Sequence, residues 1–368
     1  MAEASTPWSH YNPVRVVSGS LALLANHVPA GCHVLVVTSA GFVRRGVVDT
    51  MRGLLPGREF TVYDGVQPNP DLMDLDAATA RHAGAGIGMV IGLGGGSALD
   101  AAKALSVTLA STLRNPLAAT FRDNQPPSWK SRLPLVTIPT TAGTGAEVTP
   151  FATVWDHGMH KKHSLAGPLM FPDVALLDAS LSLTLPEEAT LYPGLDAVSH
   201  ALESLWNRNC TPISRALALE SLKLTVDALP VVLRTPGDQP ARAKMQTASL
   251  LSGLAISQTR TAVAHSVSYP LTTHFDVPHG LACSFTLPLL LEMNIERLSR
   301  SAGERELFEQ VLAMLHGFDL GGRVRKYATP EQIVALQGEM VTPGRADNYD
   351  GGGMDDIAAL VTRSVAGR

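Results

Sequence analysis

The sequence predicts an α/β domain built on a parallel sheet, followed by an all-helical domain. Short runs rich in β-branched residues alternate with alanine-rich helical stretches through the first half. Beyond Ser180 nearly every long segment carries helical periodicity instead. A chain of 368 residues is also long for a single hydrophobic core, so two domains are expected. The change of pattern puts the boundary near residues 180–185, giving domains of 1–182 and 183–368. No low-complexity linker and no internal repeat interrupts the chain.

In chain order, the segments His33 to Ser39, Phe60 to Gly65, Ile87 to Gly95 and Leu133 to Thr141 read as buried strands. The intervening MDLDAATARHAG and SALDAAKALSVTLAST read as helices, and FATVWD, HSLAG and DVALLD as shorter strands. After the boundary AVSHALESLW, PISRALALESLKLTVDALPVVL and ARAKMQTASLLSGLAIS are helical. A net charge of −4 provides no basic field for nucleic acid. No apolar run reaches the roughly 20 residues that span a bilayer. Cys32, Cys210 and Cys283 are too few and too scattered for a disulfide framework, which points to a reducing compartment. Met1 to Ser9 lacks the apolar stretch of a secretory signal. The expectation is a cytoplasmic protein without nucleic-acid or membrane partners.

Two glycine-rich turns follow the third and fourth long strands. In GGGSALDAAK (Gly94 to Lys103) the glycines let backbone approach a pyrophosphate, and a helix starting at Ser97 offers free N–H groups and a positive dipole end. An isolated turn of this kind also serves simply to reverse the chain. PTTAGTGAE (Pro139 to Glu147) adds the hydroxyls of Thr140, Thr141 and Thr144. Turns at successive strand ends lie on the carboxyl edge of a parallel sheet, where such folds bind ligands. A third element, QPNP (Gln67 to Pro70), follows the second strand.

The helical half carries the blocks GLDAVSHALESL and AHSVSYPLTTHFDVPHG. Asp196 and His200, four apart, share one helix face; His265 and His279 open and close the second block. One carboxylate and three imidazoles form a donor set suited to Fe(II), Zn(II) or Ni(II). An Asp-x-x-x-His pair alone is equally at home as two unrelated polar residues, so the second block gives the first its meaning. Cys283 lies in apolar LACSF and reads as a small buried hydrophobe rather than a ligand.

With these blocks the chain resembles the iron-dependent (group III) alcohol dehydrogenases over nearly its whole length. The resemblance implies an N-terminal dinucleotide-binding (Rossmann-like) domain, an all-helical C-terminal domain, a homodimer, and reversible hydride transfer between NADPH or NADH and an aldehyde. Asp196, His200, His265 and His279 then become ligands to Fe(II), with zinc or nickel as alternatives. Gly95, Gly96 and Ser97 would hold the diphosphate, with Asp100 in the same helical turn; Thr140, Thr141 and Thr144 would line the adenosine and phosphate side. Asn69 would touch the cofactor, and Lys162 its nicotinamide-side ribose.

Three departures from the family pattern matter. Ser39 stands where NAD-preferring members commonly carry aspartate, with Arg44 and Arg45 just beyond; this favours NADPH or dual use. Tyr269 stands where many members use a relay histidine; it is a hydrogen-bond donor and a poor shuttle at neutral pH, so it orients the substrate or the relay runs through water and the cofactor ribose, with His274 and His200 as lesser stand-ins. Phe151 occupies a commonly polar position and implies a differently shaped substrate pocket.

Within the family, Ser257 to Thr261, Ser266 to Thr273 and Leu281 to Pro288 most resemble the phosphonoacetaldehyde reductases of phosphonate biosynthesis. The implied reaction is reduction of phosphonoacetaldehyde to 2-hydroxyethylphosphonate; a generalist alcohol or diol dehydrogenase is the alternative. Another class, the 3-dehydroquinate synthase-like lyases, shares the architecture. An anionic aldehyde needs a donor such as a guanidinium. Arg260 in SQTRT is the first candidate, although a regular helix puts it about 140° round from His265. The late segment GRADNYDGGG offers Arg345, Asn348 and Tyr349 as a closing loop.

Overall fold

The computed structural model describes residues 7–341, 345–351 and 357–366. The chain divides into two compact units. One comprises Pro13–Leu185 with Pro236–Gln246; the other comprises Met1–Asn12, Pro186–Thr235 and Thr247–Arg368.

The first unit is α/β. Its strands are β1 (Arg15–Ser18), β2 (His33–Val37), β3 (Glu59–Tyr63), β4 (Met89–Gly94), β5 (Leu135–Pro139), β6 (Phe151–Asp156), β7 (Lys161–Ala166) and β8 (Val174–Leu177). Six of them form one parallel sheet in the order β1-β8-β5-β4-β2-β3. Strands β4, β5 and β8 are buried at every position, as continuous apolar runs in a two-sided sheet require. The alternation of β2 sorts its side chains: Leu35 and Val37 join one core with Leu72, Leu75 and Leu105, while Val34 and Val36 join another with Leu24 and Met51. Helices α1 (Ala40–Arg44), α2 (Val47–Leu54), α3 (Leu72–His82), α4 (Gly96–Thr108) and α5 (Pro116–Phe121) complete this unit's connections.

The strand β1 was not expected from the sequence. Its four residues sit on the sheet edge and are mostly exposed, so they leave no apolar run to read. FATVWD and HSLAG do not join the sheet; they pair with each other as the antiparallel hairpin β6–β7.

The second unit is helical: α6 (Glu187–Leu205), α7 (Pro212–Arg234), α8 (Gln239–Thr259), α9 (Val263–Phe275), α10 (His279–Ala282), α11 (Leu287–Leu298), α12 (Ala302–Gly317), α13 (Leu320–Val324), α14 (Pro330–Ala335) and α15 (Ile357–Ala366). Residues of α8 up to Gln246 belong to the first unit. One core, with Leu195, Leu202, Trp206, Leu222, Val267 and Phe285 among its members, unites the helices. The start of α7 combines Pro212 in the first turn with a reciprocal Thr211–Ser214 capping box. Among the described residues no helix is long and apolar enough to cross a membrane.

Candidate active site

In the α/β unit, strand order reverses between β2 and β4, which opens a crevice at their carboxyl ends. The register of β4 with β5 places Gly94 beside Pro139, so the two glycine-rich turns are neighbours. They touch: a Cβ on Gly96 would stand 2.6 Å from Thr144 Cγ2, and one on Gly95 3.2 Å from Thr141 Oγ1. Thr140 N–H donates to the Gly94 carbonyl at 2.9 Å. Gly94 itself has φ +149°, a conformation open to glycine, and a Cβ there would meet Ala98. The first turn of α4 therefore lies at the carboxyl edge of the sheet, with Thr141 and Thr144 packed against Gly95 and Gly96.

Asn69, in the left-handed region at φ 57°, bends QPNP toward this turn; its N–H donates to Ser97 Oγ at 3.3 Å. Its carbonyl lies 3.0 Å from His157 Nε2. A cavity of about 190 Å³ opens beside it, lined by Tyr63, Gln67, Asn69 and His157 among others. Ser39 precedes α1 and makes no side-chain cap bond. The exposed Arg45 lays its guanidinium 4.1 Å over Phe42, whose ring faces the Gly94 turn.

Two members of the expected nucleotide set have contacts in the β6–β7 hairpin. The Asp100 carboxylate accepts the Thr153 N–H at 2.9 Å and so fastens α4 to the β6–β7 hairpin. Lys162 lies on β7 with its ammonium 5.6 Å from the Trp155 ring. Phe151 opens β6, and its carbonyl accepts Lys103 Nζ at 2.7 Å. Lys103 is fully buried and also donates to Thr149 O and Oγ1. Burial lowers this ammonium to about 8, against the pull of Asp100 and Glu147. Burial likewise pushes the Glu147 carboxyl up to about 7, its own backbone N–H and Lys103 opposing.

In the helical unit, α6 presents Asp196 and His200 on one face, α9 contributes His265 and α10 begins with His279. The three imidazole Nε2 atoms surround Asp196 Oδ1 at 3.4 Å (His200), 3.5 Å (His265) and 3.8 Å (His279). The His200 ring stacks on His265, with centroids 4.9 Å apart. Gly280 explains how His279 gets there: a Cβ at this position would collide with the Tyr192 carbonyl, so α10 lies directly on the backbone of α6.

Glu203, two turns beyond Asp196 on α6, was not singled out in the sequence. It is fully buried, accepts His265 Nδ1–H at 2.6 Å and accepts the His265 backbone N–H at 3.2 Å. The signal was present: a lone carboxylate seven residues after a ligand candidate, on the same face of an otherwise apolar helix. This bond holds Nδ1 against Glu203 and turns Nε2 toward Asp196, where it can serve as a metal ligand. His265 Nε2 is buried without a hydrogen-bond partner among the described residues. Such an orphaned atom within a cage of N and O donors fits a divalent cation. Burial works against the charge of Asp196, but the three imidazoles hold its carboxyl well below the ordinary range.

Cys283 stands closer to this cluster than the sequence led one to expect. Asp196, His265, His279 and Cys283 each offer a ligand atom within 4.8 Å of the others. The thiol donates to Asp196 Oδ1 at 3.4 Å, and burial together with Asp196 pushes it well above its usual range. Asp196, His265 and His279 are common to this group and to the set expected from the sequence.

Tyr269 follows His265 by one turn of α9. Burial pushes its phenol up, which keeps it a donor at neutral pH. The half-buried Arg345 places its guanidinium 4.2 Å over the Tyr269 ring and forms no ion pair among the described residues. His274 is exposed and pairs with Glu339 at 2.9 Å. The helix expected to carry Arg260 stops short of it. Helix α8 ends at Thr259, Arg260 turns to φ 62° and is exposed, and it is the Arg260 carbonyl that is engaged, by Asn207 Nδ2. Asn348 holds the Thr261 carbonyl at 3.0 Å and so ties the late segment to the α8–α9 turn. The glycines at 352–353, part of the expected closing loop, lie outside the described residues.

A parallel sheet with phosphate-ready turns, and a helical unit with a caged carboxylate–imidazole set, together define a metal-dependent, nucleotide-linked oxidoreductase class. Comparison with known proteins places the chain within it. The iron-containing alcohol dehydrogenase model matches residues 13–179, and the C-terminal model of the Fe-containing alcohol dehydrogenase family matches residues 190–366. The chain belongs to the iron-containing alcohol dehydrogenase family. It is 33% identical over 291 residues to the sulfoacetaldehyde reductase of Bilophila wadsworthia, covering 77% of this chain and 74% of that one. It is 35% identical over 285 residues to the phosphonoacetaldehyde reductase of Streptomyces viridochromogenes, covering 74% and 70%. In structure it is similar to the sulfoacetaldehyde reductase of Bifidobacterium kashiwanohense in complex with NAD+, with a TM-score of 0.87, 26% identity and 98% of each chain covered.

Proposed function

We propose that this protein reduces a small anionic aldehyde, with phosphonoacetaldehyde the leading substrate, to its primary alcohol at the expense of NADPH or NADH. Arg345 carries the reading: a half-buried guanidinium without a carboxylate partner among the described residues, stacked on a tyrosine one turn from His265. The two relatives whose names specify sulfonated and phosphonated aldehydes support the substrate class. Arg345 takes over the anchoring role first assigned to Arg260, and a planar fork there suits a phosphonate or sulfonate.

Asp196, His200, His265 and His279 would hold Fe(II), with zinc or nickel also compatible; when bound, the metal supplies Lewis acidity toward the aldehyde oxygen. Glu203 fixes the His265 tautomer. Tyr269 Oη donates a hydrogen bond that orients the substrate, and the proton for the product reaches the site from solvent or the cofactor ribose. The turn Gly95, Gly96 and Ser97 binds the diphosphate, with Asn69, Thr140, Thr141 and Thr144 around it, and Lys162 serves the ribose. Ser39, which carries no carboxylate, and the neighbouring Arg44 and Arg45 accommodate a 2′-phosphate. Phe151 shapes the substrate side. A cytoplasmic homodimer completes the proposal.

The test is initial-rate oxidation of NADPH and NADH by the Fe(II)-loaded protein, anaerobically, with phosphonoacetaldehyde, sulfoacetaldehyde and propanal. A kcat/KM preference for the phosphonate over propanal of about 100-fold, or about 2.7 kcal/mol, is expected. Comparable values for all three aldehydes would refute a dedicated anion site.

A further inference from the structure

At the end of α6 away from its start, the last turn of α6, the first residues of α7 and the end of α11 enclose a second pocket of about 270 Å³. Four arginines line it: Arg208, Arg215, Arg297 and Arg300, with Asp350 as the one carboxylate in the lining. The chain as a whole is acidic, with net charge −4, so this concentration does not follow from composition.

Two of the four guanidinium groups have partners. Arg215 is buried and donates to Glu304 Oε2 and to the Leu298 carbonyl, each at 2.7 Å. Arg297 reaches Asp350 Oδ2 and Asn294 Oδ1 only at 3.4 and 3.3 Å. Arg208 and Arg300 are different. Their backbone N–H groups are bonded, to the Asn348 carbonyl and to Glu304, but neither guanidinium has a hydrogen bond or ion pair among the described residues. Two planar cations without a partner among the described residues line one concavity, an arrangement that a tetrahedral oxyanion would complete. The volume suits a small organic anion and is too small for a dinucleotide.

The pocket is separate from the carboxylate–histidine cluster. Its lining residue Leu205 lies five residues beyond His200 on α6, roughly 7.5 Å along the axis, and Arg345 is not among the lining residues.

We propose that this pocket is a second anion site, taking a small phosphate-bearing molecule through Arg208 and Arg300, with Arg297 as a third arm. It is independent of the substrate reading above. The shared chemistry is a phosphoryl dianion, either free phosphate or a phosphomonoester.

The experiment is calorimetric titration of the full-length protein at low ionic strength in chloride. The Arg345→Gln background is used so that any anion beside Tyr269 does not contribute. Inorganic phosphate and glycerol 3-phosphate are the two probes. Saturable binding is expected, weakened by about tenfold or more when Arg208→Gln and Arg300→Gln are added together. Both arginines are exposed, so the melting temperature should be retained, which separates lost binding from lost folding. Tighter binding of glycerol 3-phosphate would identify a phosphorylated metabolite as the ligand, and equal binding would identify free phosphate. Absence of saturable binding in the Arg345→Gln protein, or unchanged affinity after the added pair, would overturn the proposal.

Discussion

Replacing Glu203 by glutamine tests the metal centre where its logic is most exposed. The carboxylate is fully buried and sits 2.6 Å from His265 Nδ1. Glutamine keeps the volume and the acceptor oxygen but removes the charge. A hydrogen bond to a charged group contributes about 1.5–3 kcal/mol, and a neutral one about 0.5–1.5. The difference, roughly 1–2 kcal/mol, falls on the basicity and orientation of Nε2, and so on metal affinity. Loss of such an outer partner ordinarily weakens metal binding about 10- to 100-fold. The assay is competition between the metal-free protein and a chromophoric chelator for Zn(II) and for Fe(II), with a thermal melt of the metal-free variant alongside. The expected result is a folded variant with affinity down by about tenfold or more. A folded variant within about threefold of the parent would refute the argument that Glu203 prepares His265.

Three further outcomes are expected. Arg345→Gln should raise KM for phosphonoacetaldehyde by about tenfold or more and leave propanal nearly unaffected; equal losses on both would dismiss the anion anchor. His274→Ala should leave kcat and its pH profile unchanged, because this exposed side chain pairs only with Glu339 among the described residues; a displaced profile would restore it as a relay. Glu147 is raised from 4.5 to about 7, so the unfolded chain loses this proton first and stability falls as pH rises through that window. The loss is on the order of 3 kcal/mol at most. Melting temperatures of Glu147→Gln and the parent, compared between pH 5 and 7.5, should diverge in the variant's favour as pH rises; parallel curves would contradict the burial argument.

Much of this architecture was legible because it is local. Continuous β-branched runs announce strands buried on both faces, and the glycine turns announce their carboxyl ends. Asp196 and His200 needed only helical periodicity to share a face. What escaped depends on geometry that periodicity does not carry. The strand β1 is exposed at the sheet edge and leaves no hydrophobic pattern. Projecting Arg260 around a regular helix failed because α8 ends one residue earlier and the backbone turns left-handed. Cys283 reads as apolar from its neighbours, yet the single turn of α10 folds it back beside Asp196. Arg345 reaches Tyr269 across 76 positions of sequence, a separation at which no local pattern survives.

The contact between Gly280 and the Tyr192 carbonyl sets a mechanical datum for the helical unit. Side chains in a core can change rotamer or drift by fractions of an ångström, and a spacing that rests on them drifts too. Here the spacing between α6 and α10 rests on main chain against main chain, which has no rotamers to exchange. Sequence change elsewhere in the helical core can therefore accumulate without altering the reach from Asp196 to His279. Any side chain at position 280 would instead shift α10, and His279 with it, as a rigid block.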